Sequence, residues 1–403
     1  MNKNAYVFPK IELLSEAYDN VSIDSHKDNY EKIKEFFVNN DIQVEVTDEF
    51  IGPLVTEYAI TIEEGTRVRK ILSLQDDLRA YLGYQYLNIE FPILDAPKLG
   101  INVPSDERYI MPLRKLLEEN RYFGQSKKSA VFLIGRNMQN QPIMGDLGGW
   151  PHMLIGGTTG SGKSCFVDSI ITSMIYKYSP DELQFIMIDS KGSRYTIYDE
   201  LPHMAMPTIV DTHLTFQIFG WLKKKMRKRY EEFSKYRVRT IQSYNEKMEE
   251  KGEKKLPSIV MVIDDITHFY TRAPKKTRED MLEIISLARA AGIYLIVVAQ
   301  NASVDAIDGV VKMGFSGRFA FRVNSFSESR SIIDTGGAEK LLGSGECYFD
   351  YPGRYNLGHA QTAYVSEEDI KKVVEYVSRE NQGKFKSEVD INEVLNEVTG
   401  VLF

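Results

Sequence analysis

The chain has 403 residues, 43% of them hydrophobic, which is ample for two or three compact domains with ordinary cores. No apolar run approaches the roughly 18 to 20 residues that cross a bilayer, the polar start "MNKNAYVF" lacks a signal core, and two cysteines, Cys165 and Cys347, cannot make a disulfide framework. A soluble protein of the reducing cytoplasm is expected, with no membrane insertion; the net charge of −7 argues against a surface coated in nucleic acid but leaves room for a local basic channel, and six scattered histidines offer no metal-cage spacing.

The first 27 residues are polar apart from "YVFPKIELL", where Pro9 and a short apolar cluster suggest a linker end and docking strip, through which a loading or membrane partner could recruit the chain. A small α+β domain is expected over residues 28–124. Tyr30, Ile33 and Phe37 fall at helical spacing, "VTEYAITI" alternates as a strand, "LQDDLRAYLG" reads as a helix, "LNIEFPI" as a strand and "LRKLLEENRYF" as a closing helix. Over residues 125–380 the pattern changes to apolar strands alternating with amphipathic helices: "AVFLIG", "HMLIGG", "LQFIMID", "SIVMVID", "IYLIVVAQ" and "GRFAFRV". Continuous apolar strands between helices are what a mostly parallel sheet covered on both faces requires, so the second domain is α/β. Residues 381–403 read as a charged tail.

"GTTGSGKS" fits the phosphate-binding pattern G-x-x-x-x-G-K-[S/T], between the strand "HMLIG" and the helical run "CFVDSIITSMIYKY". Gly157, Gly160 and Gly162 let the backbone curl so that the amides of Thr158, Thr159, Ser161 and the following residues through Cys165, with the helix N-terminus, face the phosphates of ATP. Lys163 would reach the β and γ phosphates, and Ser164 would ligate Mg²⁺. Asp264 closes "SIVMVID", where a carboxylate can hold the same metal through water, and Asp265 follows as the acid expected to orient the attacking water. Gln300 ends "IYLIVVAQ" in the same way, so its amide either senses the γ phosphate or caps a loop.

With these motifs in place the chain resembles the FtsK/SpoIIIE family of double-stranded DNA translocases over roughly residues 6–380. "GGWPHMLIGGTTGSGKS", "FIMIDSKG", "RYEEFSKYRVRTIQSYNEK", "ARAAGIYLIVVAQ", "SVDAIDGVVK" and "GGAEKLLGSGE" stand in the family's order at its spacings. The resemblance implies a RecA-like motor preceded by a small domain, assembled as a hexameric ring with ATP sites between subunits and DNA in the pore. Arg289 matches the family's arginine finger, with Arg318 and Arg330 as substitutes. Three departures qualify this. Asp264-Asp265 stands where the family has Asp-Glu, one methylene short, so slow hydrolysis is expected. The DNA-facing "QRPS" of the family is Gln300-Asn301-Ala302-Ser303 here, and its "SSK" loop ends in Ser325-Phe326, although Arg330 is retained; weaker and less salt-dependent DNA binding follows. Neither the family's membrane domain nor its helical DNA-reading module is present in the sequence, so orientation-specific loading is expected to come from a partner or not at all.

"WLKKKMRKRYEEF" carries six basic residues between Lys223 and Arg229, with Leu222, Met226, Tyr230 and Phe233 at helical spacing. It reads either as a solvated face or as a nucleic-acid contact. The rival to a translocase motor for chromosome segregation is a nucleotide-gated coupling or assembly ATPase of a conjugation or secretion system.

Overall fold

The computed structural model describes residues 6–16, 27–93, 97–105, 109–299, 309–353 and 356–385. Two sheets organise them, one of four strands and one of nine. The smaller unit comprises α1 (Lys27–Asn39), β1 (Val44–Ile51), β2 (Val55–Ile62), α2 (Val68–Ser73), α3 (Gln75–Leu82), β3 (Asn88–Glu90) and β4 (Leu99–Pro104). Its strands lie in the order β1-β2-β4-β3, all antiparallel. Ile33, Phe37, Tyr58, Ile60, Leu78 and Ile101 form its core. Successive side chains of a strand point to opposite faces, so Glu57 faces away from Tyr58, yet it too is buried. It is covered by the larger sheet, where the amide of Gln139 donates to it.

The larger unit begins with α4 (Leu113–Glu119) and α5 (Arg121–Gln125). Next come β5 (Val131–Asn137), β6 (Pro142–Asp146), β7 (His152–Gly156), α6 (Lys163–Ile175), β8 (Leu183–Asp189), α7 (Thr212–Tyr236) and α8 (Ile241–Lys251). The chain continues through β9 (Ser258–Asp264), α9 (Ile266–Arg272), α10 (Lys275–Leu287), β10 (Ile293–Ala299), α11 (Gly309–Met313), β11 (Gly317–Phe321) and α12 (Phe326–Ile333). It ends in β12 (Glu346–Asp350), β13 (Gly358–Thr362) and α13 (Glu367–Glu380). The strand order is β6-β5-β13-β12-β11-β7-β10-β9-β8. From β11 to β8 all neighbours are parallel, which gives the expected RecA-like α/β core. From β6 to β11 all neighbours are antiparallel. "AVFLIG", expected among the parallel strands, therefore belongs to an antiparallel wing, where it is nonetheless buried throughout.

Two segments pack where the sequence did not put them. "LRKLLEENRYF", expected to close the small domain, buries Leu113, Leu116 and Phe123 in the core of the large one, against β5 and α6. Residues 6–16, expected as a strip for a partner, are engaged by the chain itself. The Val7 amide donates to Asn381 Oδ1 at 2.8 Å, Asn381 Nδ2 donates back to the Val7 carbonyl at 3.0 Å, and Leu14 is buried in the large core. No helix among the described residues is long and apolar enough to cross a membrane.

The basic stretch lies on α7, and Leu222, Met226 and Phe233 are buried as their spacing predicts. Its charges are largely committed internally. Lys223 pairs with Asp280 and Glu283 of α10, Arg227 with Glu283, and Lys225 sits over the Trp221 ring. Arg229 is buried, its guanidinium donating to the carbonyls of Ala291 at 2.6 Å and Pro257 at 2.7 Å. It ties α7 to the loops that enter β9 and β10, so these contacts favour a structural role for the stretch over a nucleic-acid face. Removing a buried charged donor strands two carbonyls, each worth roughly 1 to 3 kcal/mol. Arg229→Met should therefore lower unfolding free energy by about 3 kcal/mol in urea titration; a loss below about 0.5 kcal/mol would contradict this reading.

Candidate nucleotide-binding site

Parallel strands place all their C-terminal ends on one edge of a sheet, and ligands bind there in open α/β folds. Gly156 of β7 stands opposite Ala299 of β10, and Asp264 of β9 stands opposite Asp189 of β8. The turn from β7 into α6 carries the predicted phosphate-binding sequence on this edge. Gly157 and Gly162 adopt φ of 150° and 111°, and neither has room for a side chain. A Cβ on Gly157 would come within 2.8 Å of Phe321 Cβ, and one on Gly162 within 2.5 Å of the Gly345 amide. The loop is also tied from outside. Thr158 donates through its amide and its hydroxyl to the Arg322 carbonyl, at 2.8 and 3.0 Å, and the Gly345 amide donates to the Ser161 carbonyl at 2.9 Å. Ser161 Oγ donates within the loop to the Thr158 carbonyl at 2.7 Å, while Thr159 and Gly160 are exposed at its tip.

Lys163 opens α6, and no side chain caps that helix, so its first amides and dipole are available to an anion. Lys163 Nζ donates to the carbonyls of Gly157 and Thr158, both at 2.7 Å. Burial pulls its pKa down to about 8, opposed by the charges of Asp264 and Asp265. Both acids thus lie within electrostatic reach of the lysine, as a site for a phosphate and its metal needs. Ser164 is half-buried one residue on. Mg²⁺ takes few protein ligands and keeps phosphate and water oxygens around it, so one hydroxyl and one carboxylate are a fitting donor set. Among the described residues there is no cluster of three acids, histidines or cysteines for a fully protein-ligated ion.

Asp265 has a second occupation. It adopts φ 58°, ψ 64°, and its side chain accepts from the His268 amide at 3.1 Å as the N-cap of α9. Aspartate tolerates the left-handed region and caps helices well, whereas glutamate does neither as readily. A short acid at this position follows from the backbone that must be held there.

Several neighbours have no local sequence signal. A cavity of about 400 Å³ opens beside the loop, lined by Gly162, Cys165, Tyr109, Ile110, Thr362 and Tyr364, and its size and apolar walls suit a nucleobase. Cys165, assigned to the cofactor from the motif, lies there as a thiol whose pKa burial and Asp168 push up. Asp168 of α6 pairs with Arg194, which follows β8, and accepts from Tyr198 Oη at 3.0 Å. Burial raises the Asp168 carboxyl to about 6 against the pull of Arg194. Asp189, only 1% exposed, accepts from the amides of Lys191 and Arg194, which shapes the turn presenting that arginine.

The remaining predicted residues are dispersed. Arg289 is exposed at the opposite edge of the sheet, where its Nε donates to the Gly148 carbonyl at 2.9 Å. The strand after it rises over the seven residues Ile293–Ala299 to reach the nucleotide edge, roughly 20 Å at about 3.3 Å per step. Arg318 is the second residue of β11, donates from Nε to the Phe315 carbonyl and pairs with Asp334. Arg330 is exposed on α12. Gln300 and Asn301, with Ala302 and Ser303, lie outside the described residues.

Comparison with known proteins agrees with this geometry. Residues 113–304 match the model of the FtsK/SpoIIIE family, and residues 8–105 match that of the FtsK alpha domain. The chain is 36% identical over 97% of its length to the DNA translocase FtsK of Clostridium tetani and 34% identical over 99% to the DNA translocase SpoIIIE of Bacillus subtilis. It spans about half of these relatives, 53% and 52% of their lengths. Among solved structures, the pCW3 conjugation coupling protein TcpA with ATPγS aligns at TM-score 0.57 and 19% identity, over 87% of this chain and 99% of that one. The cytoplasmic domain of the type VII secretion ATPase EccC of Thermomonospora curvata aligns at 0.61 and 23%, over 70% of this chain and 35% of that one. At these identities the two structures establish the fold.

Capping can be separated from charge at Asp265. Asp265→Ala loses the cap and adds a left-handed penalty, together about 2 kcal/mol, while Asp265→Asn keeps both features and should stay within about 0.5 kcal/mol of the unaltered chain. Thermal and urea denaturation check this; equal stability of the alanine and asparagine variants would show that Asp265 does not cap α9.

Proposed function

The chain belongs to the FtsK/SpoIIIE family, and from that premise we propose that it is a cytoplasmic, ring-forming ATPase motor that translocates double-stranded DNA. The observation that carries the proposal is the division of the sheet: phosphate-binding loop and Asp264 on one edge, an exposed arginine on the other. A strand's length separates Arg289 from the loop of its own chain, so it serves a nucleotide only when a second copy brings it there. In a ring of copies, six by the family's precedent, every interface then holds one complete site.

Within the site, the amides from Gly160 to Cys165 and the start of α6 bind the phosphate oxygens, and Lys163 moves its ammonium from the carbonyls of Gly157 and Thr158 onto the β and γ phosphates. Ser164 and Asp264 would hold Mg²⁺, which supplies charge neutralisation at the β and γ oxygens. Asp265 orients the attacking water with whatever reach its cap on His268 leaves it, and this supports slow turnover. Arg289 from the neighbouring copy stabilises the charge that builds on the transferring phosphoryl group. Gln300 is proposed as the γ-phosphate sensor, and Asn301 and Arg330 as residues toward the DNA backbone.

ATP turnover measured with and without linear duplex DNA tests the proposal. Turnover should rise with DNA, and Lys163→Ala should weaken ATP binding on the order of a hundredfold or more without unfolding the chain. Turnover indifferent to DNA would favour a nucleotide-gated coupling ATPase, and unchanged ATP affinity in Lys163→Ala would remove the site assignment altogether.

A further inference from the structure

The motif "GGAEKLLGSGE" takes no part in the chemistry above, yet its end lies directly against the phosphate-binding loop. Gly343, Ser344 and Gly345 have φ of 92°, 52° and 93°, three left-handed residues in succession, one of them with a side chain. Such a turn persists only when its surroundings over-determine it. The Gly345 amide donates to the Ser161 carbonyl at 2.9 Å, and its carbonyl accepts from the Thr362 amide and hydroxyl, both at 2.9 Å. Gly162 packs so closely that a Cβ there would meet Gly345 N and Cα at 2.5 and 2.7 Å. Any shift of this turn is therefore passed to the loop.

Glu346 holds the turn. Its amide donates to the Gly343 carbonyl at 3.1 Å, and its fully buried carboxylate accepts from the Leu342 amide at 2.5 Å. The other carboxylate oxygen lies 2.8 Å from His359 Nε2, and His359 Nδ1 lies 2.8 Å from Glu90 Oε1, in the last residue of β3 in the small unit. Glu90 Oε1 also accepts from Tyr348 Oη at 2.6 Å and Asn88 Nδ2 at 3.0 Å. The Nε2 contact is a hydrogen bond, whereas Nδ1, which has no hydrogen-bond partner, meets Glu90 only as a close ion-pair contact, and a protonated ring is attracted to both carboxylates at once. Burial works against that charge, but the two acids prevail and raise the His359 pKa to about 10.

We propose that His359, clamped between Glu90 of the small unit and Glu346 of the motor, is a positioning residue for the nucleotide site, setting the phosphate-binding loop through the Gly343–Glu346 turn according to how the small unit is docked. The route has four members: Glu90, His359, Glu346, and the turn that bonds and abuts Ser161 and Gly162. A cavity of about 740 Å³ lined in part by Glu57, Glu90 and His359 opens beside the clamp, so its small-unit end is not locked in a solid core. The inference rests on nucleotide binding at the loop.

The test measures ADP and inorganic pyrophosphate binding by calorimetry, well below each variant's melting temperature, for the unaltered chain, Glu90→Gln, His359→Gln and the double variant. Coupled neighbours show interaction energies that correspond to several-fold to more than a hundredfold in affinity. Both single variants should lose on the order of tenfold in affinity for both ligands, and the double variant should be no weaker than the worse single one. Should His359→Gln fail to fold, Glu90→Gln, altered at the less buried end of the clamp, carries the test alone. Lower melting temperatures with both affinities kept within about twofold would make the clamp structural only and overturn the proposal. Absence of ADP and pyrophosphate binding in the unaltered chain would instead overturn the nucleotide reading beneath it.

Discussion

The polarity of five parallel strands is the constraint from which the rest of the site follows. Because β11, β7, β10, β9 and β8 run the same way and stay in register, a loop after β7 and an acid ending β9 must emerge on the same edge. The same polarity sends whatever precedes β10, Arg289 included, to the far edge. One molecule therefore presents the phosphate-binding loop and Arg289 on opposite edges of the sheet, and under the proposed function the two meet only when copies stack edge to edge. On that proposal, sheet topology would couple assembly to chemistry.

Around that core the chain spends buried polar groups on holding loops in place. Asp189 gathers the amides of its turn, Arg229 gathers two carbonyls beside the strand entrances, and Glu346 steadies three left-handed residues against the phosphate loop. An apolar replacement at any of these positions would strand backbone groups away from water, which is why the charges are tolerated inside. Asp265, only half-buried, likewise holds backbone through its cap on His268. The backbone fold that starts α9 admits a short capping acid, and the apparent defect of a missing methylene becomes a consequence of local conformation.

What was legible in the sequence was local or periodic. "GTTGSGKS" announces itself because phosphate binding needs those glycines and that lysine at fixed spacing, and "SIVMVID" does because a parallel strand buried on both faces must be apolar throughout. The antiparallel wing was not legible. "ECYFD" and "GHAQT" are five-residue strands with polar residues facing an internal interface, so they lack both an apolar run and a clean alternation. Glu90 and His359 are far apart in the chain and meet only after two sheets have docked, and the left-handed φ of Asp265 leaves no mark on composition. "LRKLLEENRYF" was legible as helical, but the break at Asn120 that divides it into α4 and α5 was not, and periodicity does not say which of two cores its apolar stripe will join.

The central claim, that each nucleotide site is completed by a second copy, is tested most directly by mixing two inactive chains. Arg289→Ala subunits keep the phosphate-binding loop, and Lys163→Ala subunits keep the arginine. Combined at equal amounts with saturating Mg-ATP and duplex DNA, they should hydrolyse ATP above either parent, since some interfaces then pair an intact loop with an intact arginine. If differently tagged subunits are shown to co-assemble and turnover still does not exceed that of the parents, Arg289 does not complete the site in trans.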